Sequence, residues 1–244
     1  MDVCLLAGNI MLKSGAETYR VEETMTRIAL AFSIRNTHAF VTPTGIILSA
    51  EGSSAHIGET KFVRITERSV DLHKVSLVNE ISRKASSGNL SLMETLKELQ
   101  NVEQSQFTYP LWSQVVAAAF VSGCFLIMFQ GKWDDFIPAF ICGGIGYAIF
   151  ILFQRIIMVK FFSEVVAAFC IGVVAVGFVR LGFGSQLDPI IVGSVMPLVP
   201  GVLITNAVRD LMAGHLISGL SRGAEALLTA SAIGTGIAVV ITLL

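Results

Sequence analysis

Charge is what this 244-residue chain has least of. Asp, Glu, Lys and Arg make up 14% of it, against roughly 25% in soluble domains, while 53% of the residues are hydrophobic and the mean hydropathy is +0.72. A wholly soluble chain is thereby excluded, and the composition points to a membrane. Seventeen basic residues against eighteen acidic ones leave a net charge of −1 with no basic stripe, so the phosphate footprint of a nucleic-acid binder is missing too. The four cysteines, Cys4, Cys124, Cys142 and Cys170, are spaced neither as a CxxC pair nor as a disulfide framework, and three lie in apolar runs as small packing residues do. The chain has no GxxxxGK followed by Ser or Thr, no HExxH and no GxGxxG. Phosphate-loop, zinc and dinucleotide sites therefore lack a motif, and no metal or other cofactor is expected. The first residues carry no basic segment, and their apolar run is interrupted at Gly8 and Asn9, unlike a secretory signal.

The charge that exists is unevenly placed. Residues 1–110 hold 11 Lys/Arg and 12 Asp/Glu, leaving six of each for the rest. This division predicts a membrane protein, mainly α: a small cytoplasmic α+β domain over 1–110, followed by a five-helix transmembrane bundle over 111–244. The crossings are expected at about 111–131, 136–154, 161–179, 189–208 and 226–244, each an apolar stretch of roughly the 20 residues that span hydrocarbon. With the N-terminal domain inside, Arg155, Lys160, Arg209 and Arg222 also fall inside, and only Lys132 and Arg180 lie outside. That asymmetry obeys the positive-inside rule and puts the C-terminus outside, in a multi-pass protein of the bacterial inner membrane. Trp112 and Trp133 bracket the first crossing as interfacial aromatics do. Ala226, Ala230, Gly234 and Ala238 recur every four residues in the fifth, a small-residue face open to a neighbouring helix. So thin a bundle is expected to self-associate or to take a partner.

Within 1–110 the periodicity changes several times. Helices are expected over about 2–14 and from Glu17 onward, where Val21, Met25, Ile28 and Phe32 keep helical spacing. Strands are expected at Thr37–Thr42, Ile46–Ala50 and Lys61–Thr66, the first two joined by Pro43-Thr44-Gly45. Two more helices, about Val70–Ser86 and Leu92–Val102, follow, the second opened by the capping-box pattern Ser91-Leu92-Met93-Glu94. His38, His56 and His73, with Ser49, Ser53 and Ser54, invite a membrane-anchored hydrolase reading, without catalytic spacing to support it.

The fourth crossing carries the chemistry. Pro197 and Pro200 each remove a backbone donor and Gly201 loosens the next turn, so an unbroken helix is not expected. Open backbone at membrane depth persists only inside protein or along a wet cavity, and broken helices recur at transporter sites. The same residues also fit a proline kink without a ligand. Beyond the break, Asn206 and Asp210 share a helical face at i and i+4, with Arg209 beside them. Arg209 suits a carboxylate, and Asp210 could orient it or carry a proton; a solvated loop with topology charges is the alternative. Glu164, four residues into the third crossing, is a second candidate proton carrier, or an interfacial residue. Glu225 at the start of the fifth also suits a helix N-terminus.

Gly15-Ala16-Glu17-Thr18-Tyr19-Arg20-Val21-Glu22, the Val41-Thr42-Pro43-Thr44-Gly45 turn, and Pro200-Gly201 through Asn206, Arg209-Asp210, Gly214, Gly219, Arg222 and Glu225 together resemble the N-terminal part of the bacterial threonine/serine exporter family. The resemblance implies a cytoplasmic segment and five helices working with a second five-helix membrane subunit, the split form of the family. It implies export of a small-molecule substrate, threonine and serine or a dicarboxylate such as succinate. The expected function is thus a subunit of a proton-coupled exporter, with Pro197, Pro200, Gly201, Asn206, Arg209, Asp210 and Glu164 along the pathway. The alternatives are the anchored hydrolase and a scaffold for a partner's pore.

Overall fold

The computed structural model describes residues 1–34, 36–51, 58–105, 109–157, 159 and 161–243. The chain forms two compact units. One comprises Met1–Phe107 with Val202–Ala224, the other Thr108–Gly201 with Glu225–Leu244. The first change of unit falls between Phe107 and Thr108, and residues 202–224 belong with the N-terminal unit.

In the first unit, α1 (Asp2–Lys13) is buried on nearly every side, which its almost uncharged sequence permits. Gly15, at φ +86°, turns the chain into α2 (Thr18–Ala31), whose buried stripe is Val21, Met25 and Ile28. Gly is favoured there because other residues are strained at positive φ. The strands β1 (Thr37–Thr42), β2 (Gly45–Glu51) and β3 (Gly58–Arg64) form an antiparallel sheet in sequence order. Thr42 pairs with Gly45 across the Pro43-Thr44 turn. Alternation sends Val41, Ile46 and Leu48 into the core. The helices α3 (Leu72–Ser86) and α4 (Leu92–Gln104) complete the layer, and the capping box forms: Ser91 Oγ accepts from the Glu94 N–H, and the Ser91 N–H donates to Glu94 Oε2 at 2.8 Å. His56, Ser53 and Ser54 lie outside the described residues. His38 and Ser49 are cross-strand neighbours, and Ser49 Oγ accepts from Thr60 Oγ1 at 3.0 Å.

The second unit contains α5 (Leu111–Met128), α6 (Phe136–Ile156), α7 (Phe162–Arg180) and α8 (Leu187–Val195). Among the described residues, four helical stretches are long and apolar enough to cross a membrane: Leu111–Met128, Trp133–Ile156, Phe162–Arg180 and Leu216–Leu243; a bent pair, Leu187–Leu198 with Gly201–Met212, makes five if it counts as one span. The expected number is therefore met only on that second count. Small residues allow close packing here. A Cβ on Gly143 of α6 would overlap the Ser122 side chain of α5, and one on Gly193 of α8 would lie 2.9 Å from the Ser122 carbonyl oxygen.

Two expectations need correcting. The helix α10 (Leu216–Leu243) starts ten residues before the expected boundary at 226, so Glu225 lies inside it rather than at its N-terminus. In the second unit, α10 packs through Gly236 against α7 and through Val240 against Gly172, while a Cβ on Gly234 would meet nothing. Ala230, Gly234 and Ala238 are exposed, so that part of the small-residue face is not the one used within the chain.

Candidate functional site

The bent pair of helices breaks at its prolines. A short 3-10 turn, Met196–Leu198, follows α8, Val199 is extended, and α9 (Gly201–Met212) starts afresh after Pro200. The N–H of Gly201 bonds to the Val199 carbonyl at 2.8 Å. Pro197 borders a cavity of about 530 Å³ that also includes Ser113, Gln114 and Tyr147. Glu164 sits half-buried in the first turn of α7, where a carboxylate complements the helix dipole.

The polar residues beyond the break are helical, not part of a solvated loop, because α9 runs on to Met212. Asn206, Ala207 and Asp210 are buried, whereas Ile204, Val208, Leu211 and Met212 are exposed. Such a helix is amphipathic in the reverse sense to one on a soluble domain: polar inward, apolar outward. Its buried polar residues, and the exposed Arg209 beside them, are used one at a time by the segment between α1 and α2. Asn206 Nδ2 donates to the Gly15 carbonyl at 2.8 Å. Arg209 pairs with Glu17. Asp210 accepts from the Thr18 N–H at 2.9 Å and from Thr18 Oγ1 at 3.0 Å. From α10, Arg222 donates to the Ala16 carbonyl at 2.7 Å and brings its Nε to 3.5 Å from Asp210.

Asp210 and Arg222 are 0% and 3% exposed. Charges this deep are tolerated only when paired and hydrogen-bonded. Glu17 is caught between opposing effects. Burial pushes its carboxyl up, but its own backbone N–H, the Arg209 hydrogen bond and the charges of Arg20 and Arg209 outweigh this and hold it below the usual range. Glu22, one turn on, goes the other way. Burial raises it, Asp210 adds to the rise, and the Val41 N–H and His215 only partly offset this. Its Oε1 accepts from Val41 at 2.9 Å, and its Oε2 lies 3.8 Å from His215 Nε2 in the turn between α9 and α10. Ser218 Oγ reaches the Val41 carbonyl at 3.3 Å.

Two sequence segments about 190 residues apart are thus one polar clasp. Periodicity singles out Asn206, Arg209 and Asp210 but not their partners; Gly15 to Thr18 carry no chemical motif, only the resemblance.

A family model described as "Putative threonine/serine exporter" matches residues 2–244. The chain belongs to the threonine/serine exporter family. Among curated relatives of this family protein, a "Probable succinate transporter subunit YjjP" of Klebsiella aerogenes is 26% identical, covering 99% of this chain and 92% of its own. The "Threonine/serine exporter" of Corynebacterium glutamicum is 23% identical over 97% of this chain but 50% of its own length, and a "Probable threonine/serine exporter" of Mycobacterium tuberculosis 22% identical over 97% and 45%. The chain therefore spans nearly all of the succinate-named relative and about half of each exporter. No solved structure matches. Together with the apolar helices, these relatives make this family protein an integral membrane protein of a transporter.

Proposed function

We propose that the chain is one subunit of a secondary transporter that exports small carboxylate-bearing metabolites, threonine and serine or a dicarboxylate such as succinate, driven by the proton gradient. In this reading residues 1–110 act in the cytoplasm, 111–244 in the bacterial inner membrane with the C-terminus outside, and a second five-helix subunit completes the passage. The observation that carries it is the buried Asp210, set on an apolar-faced helix directly after a proline break and gripping Thr18. Protonation of that carboxylate would remove its attraction to Arg222 and weaken its acceptance of the Thr18 bonds, loosening one of the contacts between α9 and the Gly15–Thr18 segment. A clasp that opens on protonation is a physical means of coupling proton movement to a gate. Arg209, Asn206 and Glu164 are assigned to the same pathway, with Pro197, Pro200 and Gly201 supplying the break.

The test is efflux from vesicles holding this chain and its second subunit, loaded with succinate or threonine under an imposed pH gradient. Asp210→Asn and Arg209→Ala are expected to slow efflux at least about tenfold while the subunits still co-purify, the loss of one charge-assisted contact being worth that much. Full-rate efflux in both variants would remove the assignment.

A further inference from the structure

Neutral hydrogen-bonding side chains and one cation meet between α5 and α6, in crossings whose sequences look merely apolar. The cavity of about 530 Å³ beside Pro197 borders on Tyr109, Gln114 and Tyr147. A second, of about 430 Å³, borders on those same three residues and on Gln154 and Arg155. Sharing three walls, they are neighbouring stretches of one groove with Arg155 at one end and Pro197 at the other. Tyr147, Ile151 and Gln154 follow at i, i+4 and i+7, so they stand on one face of α6 over about 10 Å at 1.5 Å per residue. Gln114 Nε2 donates to the Tyr109 carbonyl at 2.7 Å, which holds the amide across the junction of the two cavities.

The lining has one sign. Among the described residues, no acidic side chain borders either cavity. The polar side chains are the Arg155 guanidinium, two amides, two phenols and the Ser113 hydroxyl. Arginine presents a planar fork matched to a carboxylate, whereas an ammonium group would find no anion to pair with. Polar side chains on membrane helices are costly unless they line a watery passage.

We propose that this groove is the carboxylate-recognition site of the subunit: Arg155 takes the carboxylate at the mouth, and Gln154, Tyr147 and Gln114 hand it along α6 toward the break at Pro197. The groove selects for the carboxylate and is indifferent to an amine on the same molecule. What the bound molecule does next rests on the transport reading; the binding does not.

The test uses the full chain in lipid nanodiscs, titrated calorimetrically with succinate, L-threonine and threoninol, in which an alcohol replaces the carboxylate. Succinate and threonine bind and threoninol does not. Arg155→Gln raises both dissociation constants at least about tenfold, as loss of a charge-assisted pair should, and Arg155→Lys, which keeps the topology charge, raises them less. Should Arg155→Gln fail to fold, the double variant Gln114→Leu with Gln154→Leu carries the test, with an expected rise of about threefold or more for both ligands. Threoninol binding as tightly as threonine, carboxylate binding unchanged in the variants, or no carboxylate binding to the wild-type chain overturns the site. Carboxylate binding without any efflux in the two-subunit vesicles would instead sink the transport reading and leave the groove standing.

Discussion

The two compact units are held together by different kinds of residue. The first fully buries many large side chains, Met11, Leu12, Met25, Ile28, Ile46, Leu48 and Leu99 among them, whereas the second fully buries fewer, Leu126, Ile171 and Ile190, and sets them among the small Ala139, Cys142, Ala167, Ala168 and Ala175. Water explains the first choice, since removing large apolar surface from it is the main stabilising term. Lipid explains the second. It gains nothing from burying a leucine that was already in hydrocarbon, so cohesion comes from close backbone approach and dispersion. Each unit nevertheless uses one buried carboxylate in the same way. Asp210 takes the N–H and hydroxyl of Thr18, and Asp135 takes those of Ser185. Of the two, Asp210 alone also faces an arginine among the described residues.

That difference sets the order of expected effects. Asp210→Ala, which leaves Arg222 without its facing carboxylate, should cost about 3 kcal/mol or more, read as a lowered unfolding temperature of the full chain in detergent. Asp135→Ala should cost less, about 1 to 3 kcal/mol, since hydroxyl and N–H bonds alone are lost. Equal losses in the two would mean that the arginine adds nothing. Overpacking should tell against the small-residue unit: Gly143→Val, driven into Ser122, is expected to lose about 1 to 3 kcal/mol, seen as easier proteolysis of the α5–α6 region. The capping box is a smaller matter, and Ser91→Ala should lower the midpoint of chemical unfolding by the equivalent of about 1 kcal/mol.

The smallest effect is a pH dependence within α2. Glu17 is held below its ordinary value, so its contribution to stability is present at neutral pH and is lost as pH falls through the depressed folded-state value. Glu22 is raised, so its contribution is present in acid and is lost as pH rises through the raised value. Unfolding temperatures measured from pH 4 to 8 should therefore show Glu22→Gln more stable than wild type near neutrality and Glu17→Gln less stable, both differences shrinking in acid. Curves of the same sign for both variants would break the assignment.

Much of the first unit was legible in the chain because its periodicities are local. Thr37–Thr42 is a strand from end to end, β2 extends one residue beyond each expected end, and Ser91 caps α4 as its spacing requires. β3 begins three residues earlier than the alternation at Phe62, Arg64 and Thr66 suggests, since Gly58 and Glu59 still pair with Glu51 and Ala50 of β2. The membrane helices were legible as runs of apolar residues, but their ends were not. Arg209, Asp210 and Arg222 look like the charges of a solvated loop, and hydropathy stops counting at them; a tertiary partner lets the helices continue through. The α5–α6 groove left no signal at all, because Gln114, Tyr147 and Gln154 are single polar residues in separate apolar stretches.

Composition and local spacing settle which stretches are greasy enough for a bilayer, that prolines break a helix near residue 200, and that the N-terminal segment alternates between helix and strand. Each depends on residues a few positions apart, through backbone geometry and hydropathy. That Gly15 to Thr18 receive Asn206, Arg209, Asp210 and Arg222 comes from the folded chain. A buried charge is affordable solely beside its counterpart, and no local rule says which distant segment will supply it.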